Sequence, residues 1–131
     1  MENRLNHANS FKDLEVYKQS KELAYRIYEL TKSFPAEEKY SLTDQIRRSS
    51  RSIGAQIAEC WGKRRYENQF ILKLTDSDAE QFETQHWIKV AYEIHYIDQE
   101  TRKELLMRCE DIGKMINSMI SKSLKFCQTD H

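Results

Sequence analysis

Residues 41–62 read Ser41-Leu42-Thr43-Asp44-Gln45-Ile46-Arg47-Arg48-Ser49-Ser50-Arg51-Ser52-Ile53-Gly54-Ala55-Gln56-Ile57-Ala58-Glu59-Cys60-Trp61-Gly62. Leu42, Ile46, Ser50, Ile53, Ile57 and Trp61 recur at steps of four and three, which at 3.6 residues per turn puts them on one helical face. Ser41 with Asp44 three residues on predicts a capping box at the start, and Gly62 predicts a left-handed C′ residue at the end. Lys63, Arg64 and Arg65 follow where cations favour the carbonyl end of the helix dipole. Ser49, Ser50, Ser52, Gly54, Ala55 and Ala58 are small, so a neighbouring helix is expected to approach closely. On that placement Ala58→Leu overfills the contact and costs about 1–3 kcal/mol.

The same period extends in both directions. Val16, Ser20, Leu23, Ile27, Leu30 and Phe34 predict a first amphipathic helix, ended by Phe34-Pro35 because the residue before proline is pushed out of the helical region. A third helix, from near Tyr66 to about Tyr96, carries Phe70, Leu74, Ser77, Gln81, Ile88 and Tyr92. Asp98 is the predicted cap of a fourth, which carries Leu105, Ile112, Met115, Ile116, Met119 and Ile120. Four helices of about 20 residues joined by short connections predict an all-α, antiparallel up-down-up-down four-helix bundle.

Composition agrees with that reading. A chain of 131 residues forms one domain, and three Gly and one Pro are too few for the turns of a sandwich or barrel. The bundle is expected over 11–126, with flexible tails at 1–10 and 127–131. The first ten residues lack the apolar stretch of a signal peptide, and no run approaches the roughly 18 apolar residues of a membrane helix. A cytoplasmic location is expected. Cys60, Cys109 and Cys127 are odd in number with no CxxC, which fits reduced thiols rather than a disulfide framework or a zinc site.

Trp87, Ile88, Val90, Ala91, Tyr92, Ile94, Tyr96 and Ile97 span more than half of the third helix's circumference, whereas one core face needs little over 100°. Either this helix is deeply buried or it meets a second subunit, with Trp87, Tyr92 and Tyr96 as the candidate contacts; a homo-oligomer is expected. Glu83-Thr84-Gln85-His86 has the Glu-x-x-His spacing of di-iron bundles, but such sites need two of these motifs and two further Glu, and no other His follows a carboxylate at that spacing. Cys60 lies near the apolar stripe, where a thiol behaves as a small hydrophobe. The chain has no Gly-rich phosphate loop, GxSxG or HExxH. No metal, cofactor or catalytic residue is expected, and a small metal- or thiol-dependent enzyme is the alternative.

Charge is organised in blocks. Residues 41–65 hold six basic and two acidic groups, residues 66–84 one basic and five acidic, and the two ends balance at seven each. Arg47, Arg48 and Arg51 share a face, and Lys63, Arg64 and Arg65 continue the charge beyond it. Folding the third helix back along the second brings the stretch from 76 to 83 level with that from 52 back to 45. The arginines then meet carboxylates, or they form a separate stripe for phosphates.

Phe34-Pro35, Glu38, Tyr40, Leu42, Gln45-Ile46-Arg47-Arg48, Ser52-Ile53 and Ile57-Ala58-Glu59 resemble the signature FPxxExYxLxxQIRRAxxSIxxNIAEG of the bacterial 23S ribosomal RNA intervening-sequence proteins, a four-helix bundle family. Phe11-Lys12-Asp13-Leu14-Glu15-Val16-Tyr17 and Glu83-Thr84-Gln85-His86-Trp87 extend the likeness to roughly residues 11–122. Ser49, Gln56 and Cys60 stand where the signature has Ala, Asn and Gly. The resemblance implies an antiparallel bundle assembled in a ring, commonly a homopentamer, with an unsettled molecular role. Similar proteins accompany diversity-generating retroelements and bind nucleic acid and a reverse transcriptase. Carried over, Arg47, Arg48, Arg51, Lys63, Arg64 and Arg65 are the candidate nucleic-acid contacts. The expected function is a non-enzymatic oligomeric scaffold or adaptor for RNA, DNA or a protein partner.

Overall fold

The computed structural model describes residues 8–127. Four long helices form it: α1 (Glu15–Thr31), α2 (Leu42–Gly62), α3 (Glu67–Glu93) and α4 (Gln99–Ser121), followed by the single turn α5 (Ser123–Phe126). Short 3-10 turns at Phe11–Asp13 and Ala36–Glu38 precede α1 and α2.

The predicted stripes are the core. Val16, Leu23 and Ile27 of α1, Ile46, Ile53 and Ile57 of α2, Phe70, Leu74 and Ile88 of α3 and Leu105, Ile112 and Ile116 of α4 are buried. Ser20, Ser50, Ser77 and Gln81, the polar members of the stripes, are buried with them. Each has a short or local solution: the Ser77 hydroxyl donates to the Ile53 carbonyl at 2.9 Å, and Ser20 to Tyr17 O at 2.8 Å. A buried hydroxyl paired in this way escapes most of its desolvation cost and lets α2 and α3 pack closely.

Side-chain pairs give the direction of every neighbouring helix. Ser49 meets Thr84 at 2.9 Å while Glu59 meets Lys73 at 2.7 Å, so α2 and α3 run antiparallel. Arg47 reaches Thr31 and Gly54 lies against Ser20, which reverses α2 against α1. Arg26 pairs with Glu104 at 3.0 Å and Glu22 with Arg108 at 3.9 Å, closing the ring from α4 to α1. Gly113 of α4 packs on Gln81, and Tyr92 sits under Arg102 near the other end. The bundle is therefore up-down-up-down, as the sequence predicts.

Helix ends depart from the sequence reading in four places. The capping box at Ser41 does not form: the Ser41 hydroxyl donates to Glu38 Oε1 at 2.7 Å, and the same carboxylate accepts from Leu42 N at 3.3 Å. Glu38, presented by the 3-10 turn, does what Asp44 was expected to do. Gly62 is not a left-handed C′ residue, since α2 runs through it to Lys63 and no described glycine has positive φ. Helix α1 stops at Thr31, three residues before Phe34, and the Thr31 hydroxyl donates back to Ile27 O at 2.8 Å. Helix α3 stops at Glu93. His95 takes φ 68°, and Tyr96 N donates to Ala91 O at 2.9 Å, a Schellman closure built on a non-glycine residue. The Asp98 cap forms as expected, its carboxylate accepting from Thr101 N at 2.8 Å.

Of the predicted tails, residues 1–7 and 128–131 lie outside the described residues. Ala8 packs against the core, Ser10 caps the first 3-10 turn, and Cys127 is buried beside Phe126, which stacks on Phe70 at 5.8 Å. No described helix is long and apolar enough to cross a membrane.

Candidate nucleic-acid interface

The six candidate cations lie on one helix and its exit, yet their surroundings divide them. Arg47 is half-buried: its Nε donates to Thr31 Oγ1 at 2.7 Å, and its guanidinium covers the Tyr28 ring at 4.7 Å. It fastens α2 to the end of α1. Arg48 turns the other way and pairs with Glu83 and, at 3.5 Å, with Glu80 of α3. Hydrogen bonds from Arg48, then from Trp87 Nε1, hold the Glu83 carboxyl below its ordinary range, and Glu83 raises Arg48 in return. Arg48 of the basic block therefore meets Glu80 and Glu83 of the acidic block, at the register expected from folding α3 back on α2.

Arg64 donates to Trp61 O at 2.8 Å and stacks on the Trp61 ring at 3.7 Å. Arg51, Lys63 and Arg65 are exposed, with no carboxylate partner among the described residues. Lys63 and Arg65 mark the α2–α3 turn, whereas Arg51 projects between α1 and α2. There it shares an open groove of about 510 Å³ with Phe11, Tyr17, Lys21, Tyr25 and Tyr28, over a floor of Ala24, Gly54, Ala55 and Ala58. A second basin of about 650 Å³, bounded by Lys39, Tyr40, Asp44, Arg47 and Arg48, adjoins it through Arg51 and Ala55. Of the groove's cations and aromatics, the sequence reading made only Arg51 a candidate contact. The missed signal is on α1, where Lys18, Lys21, Tyr25, Tyr28 and Lys32 recur at steps of three and four.

Ala58 corrects one expectation. It is half-buried on the groove floor rather than under α1, so the leucine of Ala58→Leu extends into open space. The expected change is within about 0.5 kcal/mol of the parent, read as an unshifted urea midpoint. A loss above about 1.5 kcal/mol would place Ala58 back in the helix contact.

Trp87, Tyr92 and Tyr96 are all half-buried, and each has a partner within the protomer. Trp87 donates to Glu83 at 2.9 Å, Tyr92 lies under Arg102 at 4.7 Å, and Tyr96 donates to Glu38 Oε2 at 2.8 Å while tilting on Phe34. Of that wide apolar face Ile88, Ala91 and Ile97 are buried, Trp87, Val90, Tyr92 and Tyr96 are half-buried and Ile94 is exposed. The large apolar side chains of α3 and α4 that are more than half exposed are Leu72, Phe82 and Met107.

Glu83 of the Glu-x-x-His is engaged by Arg48 and Trp87, and His86 is exposed, edge-on to Trp87 at 4.7 Å. Burial pushes the Cys60 thiol up to about 12, with Cys127 adding to it. Burial does the same to Cys109. Neither is a thiolate at neutral pH.

Glu83 and Glu104 carry a pH prediction. Glu104 is held low by hydrogen bonds from Arg26 and then Arg108. A carboxylate lowered by folding contributes stability above its ordinary pKa, and that contribution is lost as pH falls through the lowered value. Melting temperature is expected to hold from pH 7 to 5 and drop below about pH 4, each solvent-screened pair contributing under about 1 kcal/mol. Arg48→Gln should shrink the acid-side drop; an unchanged drop would show that the pair is not formed.

Among solved structures, the chain is similar to a protein of unknown function from the S23 ribosomal protein family of Bacteroides thetaiotaomicron VPI-5482. The identity is 33% over 81% of this chain and 95% of that one, with a TM-score of 0.73. No curated protein matches the chain. Residues 12–118, from the first 3-10 turn to the last turn of α4, match the 23S rRNA-intervening sequence protein family, and the chain belongs to that family.

Proposed function

We propose that this protein is a non-enzymatic, cytoplasmic homo-oligomeric scaffold, a pentamer by likeness to its family, whose α1–α2 face contacts RNA or DNA. The observation that carries the reading is the groove itself, where Arg51 and Lys21 stand among aromatic rings with no carboxylate on the walls. Basic groups interleaved with aromatics are the pattern of a nucleic-acid surface. Arg48 is paired with Glu80 and Glu83, Arg47 is held by Thr31 and Tyr28 and Arg64 by Trp61, so of the candidate set Arg51, Lys63 and Arg65 are left for phosphate contacts. High thiol pKa values at Cys60 and Cys109 argue against a nucleophilic role. Exposed Leu72, Phe82 and Met107 on α3 and α4 offer the apolar surface that a ring contact would cover, leaving the groove open.

Affinity for structured RNA and for duplex DNA, measured across salt, tests the binding. Three phosphate contacts give a log-log slope near about −3 on duplex DNA, against about −5 for all six cations. Absence of binding at about 50 mM salt would overturn it. Light scattering tests the assembly, and a monomer at micromolar concentration would overturn that part.

A further inference from the structure

We infer that the α1–α2 groove is a single-strand nucleic-acid site, with Lys21, Lys39 and Arg51 on the phosphates and Tyr25 and Tyr40 as stacking platforms. The inference rests on the nucleic-acid reading above and specifies its site and strand type.

Helix α1 is sorted by charge. Lys21 lines the groove on the side of α2, while Glu15 borders the α4 side with Met115 and Ser118, and Glu22 reaches Arg108 of α4. Of the acids on α1, Glu22 is held toward α4 by Arg108, and Glu15 and Glu29 are engaged by Gln19 and by Lys32 at the helix C-cap, so none lines the groove. Across the two adjoining basins the cations with no carboxylate or hydrogen-bond partner among the described residues are Lys21, Lys39 and Arg51, since Arg48 is paired with Glu80 and Glu83 and Arg47 is tied to Thr31 and Tyr28, and Asp44 is the one acid on the lining. A net-neutral chain therefore presents a locally positive groove, its lining holding Lys21, Lys39 and Arg51 while Glu80, Glu83 and Glu104 are paired in the α2–α3 and α1–α4 seams.

The aromatics decide between a strand and a duplex. Tyr17 and Tyr28 are fixed in place, the first edge-on to Phe11 at 4.9 Å and the second flanked by Arg47, Arg51 and Lys32. Tyr25 and Tyr40 are free to stack, 65% and 85% exposed, with Lys39 at 5.3 Å from the Tyr40 ring. A paired base shows only its edge, whereas an unpaired base can lay its face on such a ring. The floor of Ala24, Gly54, Ala55 and Ala58 beside Tyr25, joined through Ala55 to the basin of Tyr40, accepts the flat, weakly polar faces of bases without leaving a buried polar group unpaired.

The test is fluorescence anisotropy of labelled 15-nucleotide oligouridine and of an RNA duplex of equal length, at about 100 mM salt. Oligouridine is expected to bind the more tightly. Lys21→Glu with Arg51→Glu should weaken it at least tenfold, while the charge-matched Lys103→Glu with Lys114→Glu on α4 leaves affinity within twofold. Tyr25→Ala and Tyr40→Ala should each weaken binding by about fivefold or more without changing the salt slope. Circular dichroism verifies folding, and Lys21→Gln with Arg51→Gln repeats the test with less repulsion. Equal losses from the groove and α4 pairs, or preference for the duplex, would overturn this site while leaving the scaffold reading intact. Capture of an acidic peptide or a second copy that no oligonucleotide displaces would do the same. Failure of the parent protein to bind RNA or DNA even at about 50 mM salt would remove both.

Discussion

Phe70→Ala is expected to cost about 3–5 kcal/mol, the loss typical of a buried aromatic truncated to alanine. Phe70 is fully buried near the start of α3 and stacks on Phe126 of α5. Truncation leaves a cavity and removes the ring against which the C-terminal turn is seated. The polar tie there runs from the buried Ser123 hydroxyl to the half-buried Glu67, and a single hydrogen bond contributes only about 0.5–1.5 kcal/mol. Against a total stability of about 5–15 kcal/mol, the change should lower the melting temperature by roughly 10–20 °C. A loss below about 1.5 kcal/mol would mean that α5 does not dock as described.

Gly54→Leu is the second large effect, at about 1–3 kcal/mol from overpacking. A Cβ at Gly54 meets Ser20 Oγ at 2.9 Å and Tyr17 Cε1 at 3.7 Å, so α1 would have to move away from α2. Smaller replacements separate the two forces at this site. Alanine in mid-helix is favoured over glycine by about 1 kcal/mol, and at Gly54 that gain is offset by the Ser20 hydroxyl. In a Ser20→Ala background the obstructing oxygen is gone and Ser20 Cβ stands at 3.9 Å, an ordinary contact. Gly54→Ala should then stabilise by about 1 kcal/mol, whereas in the parent it should be neutral or worse. Equal effects in both backgrounds would show that the close approach of α1 and α2 is not real.

Helix number, type and register were legible because burial in this bundle is local in sequence. A period of 3.6 residues marks the core face whatever the neighbour is, and Ser20, Ser50, Ser77 and Gln81 were caught on it despite being polar. Helix ends were less legible. Glu38 replaced the expected capping box because a 3-10 turn, invisible to the period, swings its carboxylate over Leu42 N. His95 occupies the left-handed position that glycine usually takes, where Tyr96 is held by Phe34 and Glu38 from another connection.

The site was half legible. Sequence spacing put Arg47, Arg48 and Arg51 within one arc of α2, and the block arithmetic foresaw that Asp76 to Glu83 would lie opposite. Spacing could not assign each arginine its partner, because a rotation of 100° between successive residues sends Arg47 to α1 and Arg48 to α3. Nor could it place Ala58 on a groove floor rather than in a helix seam, which depends on how widely α1 and α2 diverge.

By itself the sequence determined four helices, their antiparallel order, the buried stripes and the family, all of which follow from periodicity and a contiguous motif. Only the tertiary structure decided which charges remain available. Ion pairing falls off over a few ångströms, so the difference between a neutralised Arg48 and an open Arg51 is set by inter-helix distances that no one-dimensional pattern contains.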